Sequence, residues 1–166
     1  MPQSNLTNHH VEDRFVFATE LPSGVTQPFL IDVISNTLSE IDWTPAGKVS
    51  VAFVDEHKSK SINREFSGND YPTDVLSFDY SDDAHKVTHS VEQEYSGEIL
   101  ICTTIAIKQA EQYGVDVKSE IALLLIHGIL HLSGLDHQNS SQKTSFERQQ
   151  SVILKSLNLK HHPMPW

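Results

Sequence analysis

The sequence predicts one α+β (mixed α/β) domain with a small four-stranded sheet and about five helices. Its 166 residues are enough for a single sizeable core and too few for two. Segments with strand character are partly clustered and partly separated by segments with helical apolar spacing, which fits α+β or mixed α/β better than any pure class. We expect residues 1–166 to form this one domain, with the polar ends 1–12 and 158–166 flexible.

Four segments show the alternation or the short apolar run that is typical of β-strands. They are residues 14–19, 49–54, 75–80 and 98–102. The first is bounded by the turn sequence Leu-Pro-Ser-Gly at 21–24. Residues 81–96 are acidic and rich in turn residues, with no apolar period, so we predict a mobile loop between the third and fourth strands.

Five segments have the spacing or the boundary residues of helices. They are residues 28–39, 55–66 and 103–113, a segment that starts at about 119, and residues 141–157. Asp55 offers an N-cap for the second helix, and Gly68 and Gly114 can end the second and third. Residues 120–126 are apolar on all sides, so the fourth helix is predicted to be central and buried.

The composition argues against several classes of protein. Twelve basic and 22 acidic residues give a net charge of −10, which disfavours a broad basic surface for nucleic acid, and we expect no DNA partner. No apolar run approaches the roughly 20 residues of a membrane span, so we expect no membrane partner either. The polar start lacks the apolar region of a secretory signal, and we predict a cytoplasmic location. The lone Cys102 excludes an internal disulfide and a multi-cysteine zinc site.

The candidate metal ligands lie in residues 127–137, which read His-Gly-Ile-Leu-His-Leu-Ser-Gly-Leu-Asp-His. His127 and His131 are four residues apart, so on a helix their rings stand on one face and can share a metal ion. Gly134 can end the helix in the left-handed conformation and turn His137 back towards them. Three imidazoles with an open fourth position describe a catalytic zinc site on a zincin-like helix, so we predict one Zn²⁺ per chain.

Other interpretations of these residues remain open. Histidines on an apolar helix can be satisfied core groups rather than ligands. Asp136 can orient an imidazole or cap a turn. Gly128 occupies the place of the glutamate that serves as general base in zinc peptidases of similar spacing. The pairs His9-His10 and His161-His162 lie in polar or Pro-rich ends, where we expect them to be solvated.

The segment 127–137 resembles the signature H-G-x-L-H-L-x-G-x-D-H of the YbeY family of bacterial endoribonucleases, and it meets every fixed position. Residues 63–78 are similar to the family's N-x-x-[YF]-R-x-x-D-x-P-T-[DN]-V-L-S-F, and residues 97–102 to its G-[DE]-I-x-I-[CS] strand. The motif arginine is replaced by Ser67, which leaves Arg64, one helical turn earlier, as the candidate phosphate contact.

The resemblance implies a zinc-dependent, single-strand-specific endoribonuclease that matures small-subunit (16S) ribosomal RNA and takes part in ribosome quality control. It carries the zinc ligands over onto His127, His131 and His137. The implied partners are single-stranded RNA and the small ribosomal subunit with its assembly proteins.

The catalytic base is not fixed by the sequence. Asp136, Asp74 and Glu98 are candidates, although Asp74 is better explained as the cap of the turn before its strand. Cleavage through the 2′-hydroxyl of the substrate is an alternative that needs no activated water. Two other functions remain possible from the sequence alone: a zinc-dependent peptidase or amide hydrolase, and a ribosome-assembly factor that binds RNA without cutting it.

Overall fold

The computed structural model describes residues 8–80 and 94–164. This part of the chain contains six helices and four strands, which confirms the predicted α+β class. In chain order they are α1 (Asn8–Arg14), β1 (Phe15–Phe17), α2 (Gln27–Ile41), β2 (Lys48–Val54), α3 (Glu56–Ser67), β3 (Val75–Asp79), β4 (Tyr95–Cys102), α4 (Thr103–Tyr113), α5 (Val117–Leu132) and α6 (Ser140–Ser156).

The four strands form one mixed sheet in the order β1-β2-β4-β3. Strand β2 is parallel to both β1 and β4, whereas β3 runs antiparallel to β4 at the edge. The register pairs Ser77 with Ile99 and Phe78 with Glu98. Because successive side chains of a strand point to opposite faces, these two pairs lie on opposite sides of the sheet.

Helix α5 packs on the face of the sheet that carries Ile99. Every residue from Ser119 to Leu130 is buried, as the all-round apolar pattern predicts. Gly128 lies in close contact with the sheet, because a side chain there would collide with Ile99 and crowd Ser77. The missing side chain thus lets α5, and the histidines on it, sit directly against β3 and β4.

Residues near both ends of the described chain pack against the core. The helix α1 was not predicted, because its polar sequence has no apolar period; of its side chains, Val11 is buried in the core. At the other end Leu159 and Met164 pack against the core. The prediction that the second histidine pair is solvated is wrong for His162, which is buried against the carboxylate of Glu120.

Two smaller differences concern the region before β4. That strand begins at Tyr95 rather than Glu98, so the last residues of the predicted loop belong to the sheet. The rest of that loop, residues 81–93, lies outside the described residues. No described helix is both long enough and apolar enough to cross a lipid bilayer.

Candidate metal centre

The helix α5 places the first two histidines one turn apart. The Nε2 atoms of His127 and His131 are 3.1 Å from each other. His127 is buried, whereas His131 is half-buried and reaches the surface. The four-residue spacing therefore produces the shared helix face that the sequence predicts.

A turn after α5 brings in the third histidine. Gly134 has a φ of +94°, a left-handed conformation that glycine adopts without strain. The Gly134 N–H donates to the carbonyl of His131 (3.0 Å), and the Leu135 N–H donates to that of Leu130 (3.1 Å), which together form a Schellman turn. As a result, the Nε2 atom of His137 lies 3.0 Å from that of His131.

The three imidazoles are held from behind by α6 and by the turn. Nδ1 of His127 lies 3.2 Å from Oε1 of the buried Gln150. The ring of His131 is hydrogen-bonded to the backbone of Leu135. The Phe146 ring packs against all three histidines, with centroid distances of 4.9, 5.0 and 5.3 Å. Since Nδ1 of His127 and the ring of His131 are engaged in this way, their Nε2 atoms are left to face one another.

Burial keeps the imidazoles of His127 and His131 neutral by lowering their pKa values. It lowers the pKa of His127 to about 3, and the neighbouring rings of His131 and His137 lower it further. The pKa of His131 is lowered as well, first by burial and then by His137. Neutral imidazole nitrogens are the form that binds a metal ion.

The three ring nitrogens could hold a metal ion together. The ligand atoms of His127, His131 and His137 all lie within 4.8 Å of one another. Three lone pairs that point at a common centre repel each other unless a proton or a cation lies between them. Nitrogen ligands in this number suit a metal such as zinc, with a further position open to water or substrate.

An open cleft of about 370 Å³ leads to this centre. It is lined by His127 and His131 and by the edge strand β3, residues 75–79. Ser77 faces α5 here, and its hydroxyl donates a long hydrogen bond of 3.4 Å to the carbonyl of Gly128. The possible metal site is therefore accessible to a ligand that lies along β3.

The chain is similar to a known protein family over most of its length. The family model described as Endoribonuclease YbeY matches residues 19–158. The chain belongs to the YbeY family. This confirms the resemblance read from the motifs at 63–78, 97–102 and 127–137.

Individual relatives match most of the chain. The protein named endoribonuclease YbeY of Sulfurihydrogenibium sp. is 34% identical over 153 residues, which cover 90% of this chain and 97% of the relative. That of Carboxydothermus hydrogenoformans is 37% identical over 130 residues, 78% of this chain and 85% of the relative. A solution structure of a Thermotoga maritima protein aligns with a TM-score of 0.53 at 25% identity, covering 87% of this chain and 91% of the other.

The upstream YbeY motif of this chain has a structural role. The amide of buried Asn63 donates to the carbonyl of Tyr71 at 2.8 Å. The Ser59 hydroxyl donates to the carbonyl of Thr73 (2.7 Å) and accepts from the Thr73 N–H (3.0 Å). These bonds fasten the loop before β3 to α3, and they thereby fix the strand that forms the wall of the cleft.

The two predicted catalytic residues lie at different distances from the YbeY histidine cluster. Asp136 is adjacent, and its Oδ1 accepts the backbone N–H of His137 at 2.7 Å. Its charge also raises the pKa of His131, against the larger effect of burial.

Arg64 is exposed on α3 and lies 3.8 Å from a carboxylate oxygen of Asp70. Neither Arg64 nor Ser67 is among the described residues that line the cleft.

The other two candidate bases are engaged elsewhere. Asp74 accepts the N–H of Val75 (2.8 Å) and the amide of Gln109 (3.2 Å), so it caps the turn before β3 as expected. Glu98 lies on the face of the sheet opposite α5, where its carboxylate accepts from the Tyr80 hydroxyl at 2.6 Å. The sheet therefore separates Glu98 from the histidines.

Sequence reasoning missed Gln150 and Phe146, the side chains of α6 that contact the cluster. Their spacing of four residues puts them on one face of α6, and this spacing could have indicated that both contact the same part of the protein. The capping box of Asn139 and Gln142 fixes where α6 begins and hence where that face points.

Proposed function

We propose that this protein is a zinc-dependent, single-strand-specific endoribonuclease that matures small-subunit (16S) ribosomal RNA and acts in ribosome quality control. Membership of the YbeY family supports the activity, because relatives over most of the chain are named endoribonucleases. The ribosomal substrate and the cytoplasmic location come from the family resemblance and are part of the same proposal.

The convergence of three Nε2 atoms at the end of an open cleft is the observation that carries this proposal. His127, His131 and His137 would hold the zinc ion. Zinc held by three imidazoles supplies a Lewis acid for a phosphoryl oxygen and lowers the pKa of water towards 7. The cleft along β3 would bind the strand of RNA that is cut.

Two other side chains have proposed roles. Asp136 fixes the backbone of His137, and as the acidic residue beside the cluster it is the proposed proton acceptor. Arg64 is the proposed phosphate contact. Its only described ion pair is the exposed one to Asp70, a type of pair that contributes little, so Arg64 can leave it for an RNA phosphate.

A peptidase has less support than a nuclease. Peptidases with a similar histidine spacing carry their general base at the position of Gly128. Here α5 lies against Ile99, which leaves no room for a side chain at that position. A base for peptide hydrolysis would therefore have to come from elsewhere.

The test is cleavage of a 5′-labelled RNA offered as a single strand and as a duplex, by zinc-loaded and by chelator-treated protein. We expect cuts in the single strand only, and only with zinc, and none with His131→Ala. Cleavage of casein instead would favour the peptidase, and binding of small ribosomal subunits without cleavage would favour the assembly factor. A 2′,3′-cyclic phosphate at the cut would indicate attack by the 2′-hydroxyl, whereas direct hydrolysis leaves none.

A further inference from the structure

Gln150 contacts the cluster through the ring nitrogen that points away from the cleft. Its Oε1 lies 3.2 Å from Nδ1 of His127, and its side chain is 4% exposed. A neutral imidazole carries one proton, on either Nδ1 or Nε2. An amide oxygen opposite Nδ1 favours the form with the proton there, which leaves the lone pair of Nε2 directed at His131 and His137.

We propose that Gln150 is the positioning residue of the metal centre: its amide oxygen fixes the tautomer and ring orientation of His127. This inference rests on the metal site of the proposed function, and it concerns a residue outside the family motifs quoted above. Outer hydrogen-bond partners of this kind raise the basicity of a ligating histidine and hold its ring in place.

The surroundings of Gln150 support a directed contact. His127 is the most buried of the three histidines, so water cannot readily replace the amide oxygen at its Nδ1. The C-terminal residues 161–164 line a cavity of about 210 Å³ together with Gln150 and Leu154. Because the Gln150 side chain is buried, its amide is shielded from solvent, which strengthens its hydrogen bond to the ring.

His131 and His137 are positioned by other means. The ring of His131 bonds to the backbone of Leu135, and the backbone of His137 is held by Asp136, both within the turn that follows α5. The hydrogen bond between Gln150 and His127 comes from a side chain of another helix, α6. A change at Gln150 should consequently affect one ligand and leave the turn intact.

The experiment measures the affinity of the full-length protein for zinc by competition with a chromophoric chelator. Gln150→Met keeps the length of the side chain and removes the acceptor, and we expect its zinc dissociation constant to rise about 10- to 100-fold. Gln150→Glu restores an acceptor oxygen and should bring the affinity back to the wild-type range. The matched control is Gln149→Met, the neighbouring position on α6, which should bind zinc as the wild type does.

Cobalt(II) supplies a second readout that a general loss of stability would not move. We expect the visible absorption bands of Co²⁺ bound to Gln150→Met to shift from those of the wild type, since the His127 ring is no longer fixed. Unchanged zinc affinity and an unchanged cobalt spectrum in Gln150→Met would overturn the proposal. Equal losses in Gln149→Met and Gln150→Met would also overturn it.

A measurement on the wild type covers the case in which Gln150→Met does not fold. The ¹⁵N chemical shifts of the His127 ring in metal-free protein should show a protonated Nδ1 and a bare Nε2. The opposite tautomer would contradict the proposal. If the wild type takes up no metal at all, the proposed function fails at its metal site; if it takes up metal and cuts RNA while Gln150 has no effect, only this inference fails.

Discussion

The Nε2 atom of His162 lies 2.6 Å from Oε2 of Glu120, although the two residues are 42 positions apart. Both side chains are buried, and the His162 ring also stacks on Tyr113 with a centroid distance of 3.8 Å. Burial raises the pKa of Glu120, and the hydrogen bond to His162 opposes that rise. The C-terminal tail is thus anchored to the first turn of the helix that carries the histidine cluster.

Removing this partner should destabilise the protein in a pH-dependent way. In His162→Ala the buried carboxylate of Glu120 loses its hydrogen-bond partner, a loss that typically costs about 1–3 kcal/mol or more. The pKa of Glu120 in the folded state then rises further above the ordinary value of 4.5, so the destabilisation is small below that pH and grows as the pH increases. Urea unfolding of wild type and variant at several pH values measures it.

The neighbouring histidine gives a matched control. His161 is exposed, and its described side-chain contact is the hydroxyl of Ser151 at 3.2 Å, so His161→Ala should change stability by less than about 0.5 kcal/mol. The double variant Glu120→Gln/His162→Ala should lose less than His162→Ala does at neutral pH. Equal losses at all pH values would show that the contact with the Glu120 carboxylate is not the cause.

Gly128→Ala should destabilise the protein even though alanine favours helices. The added Cβ would lie 2.8 Å from Cγ2 of Ile99 and 3.1 Å from Oγ of Ser77. Overpacking of this kind costs about 1–3 kcal/mol, which outweighs the helix preference of about 1 kcal/mol. Urea unfolding would reveal the lower stability. In an Ile99→Ala background the same change should cost less, and an equal cost in both backgrounds would exclude the contact as its origin.

The metal-free protein should lose stability as the pH falls below 6.5. Above that pH His127 is neutral in the folded and the unfolded chain, so its contribution to stability is complete. Below it the unfolded chain binds a proton that the folded chain accepts only near pH 3, and the free energy of unfolding drops by up to about 1.4 kcal/mol per pH unit for one such imidazole. Thermal unfolding in the presence of a chelator tests this, and His127→Gln should show a weaker decline.

Substitutions at Arg64 and Ser67 should show whether Arg64 contacts the scissile phosphate or whether no cation does. If Arg64 contacts the scissile phosphate, Arg64→Ala should lower the rate of RNA cleavage by roughly 10²-fold, because a charge-assisted contact is lost in the transition state. Ser67→Arg should then change the rate of RNA cleavage little. If no cation contacts the phosphate in the wild type, Ser67→Arg should raise that rate. Ser67 is exposed at the end of α3, so the longer side chain fits there.

Single-turnover assays with matched zinc content measure both Arg64→Ala and Ser67→Arg. Their melting temperatures should stay close to the wild-type value, since both positions are exposed. Cleavage that neither change affects would show that this part of the motif serves the fold, as Asn63 does.

The sequence predicts those features that depend on local chain geometry. The pairing of His127 with His131 follows from the helical repeat, and the return of His137 follows from one glycine at 134. Contacts between distant segments were not predictable in this way. Gln150 reaches His127 because α6 packs on α5, and His162 is buried where the tail folds back to Glu120 and Tyr113.

The position of Glu98 relative to the histidines could be predicted from the sequence only in part. The alternation of β4 puts Glu98 opposite Ile99 and Ile101, so the sequence separates it from the apolar face. Which of the two faces receives the histidines depends on where α5 packs. The helix packs on the face of Ile99, where the lack of a side chain at Gly128 permits the close contact.

The three histidines of the cluster lie within the eleven residues 127–137. An unfolded chain keeps such near neighbours within reach of each other, because closing a short loop has a low entropic cost. We therefore expect a metal ion to bind the denatured chain as well, and affinity for that state reduces the net stabilisation that metal gives to the native fold. Zinc should raise the melting temperature less than its affinity for the folded protein alone would suggest.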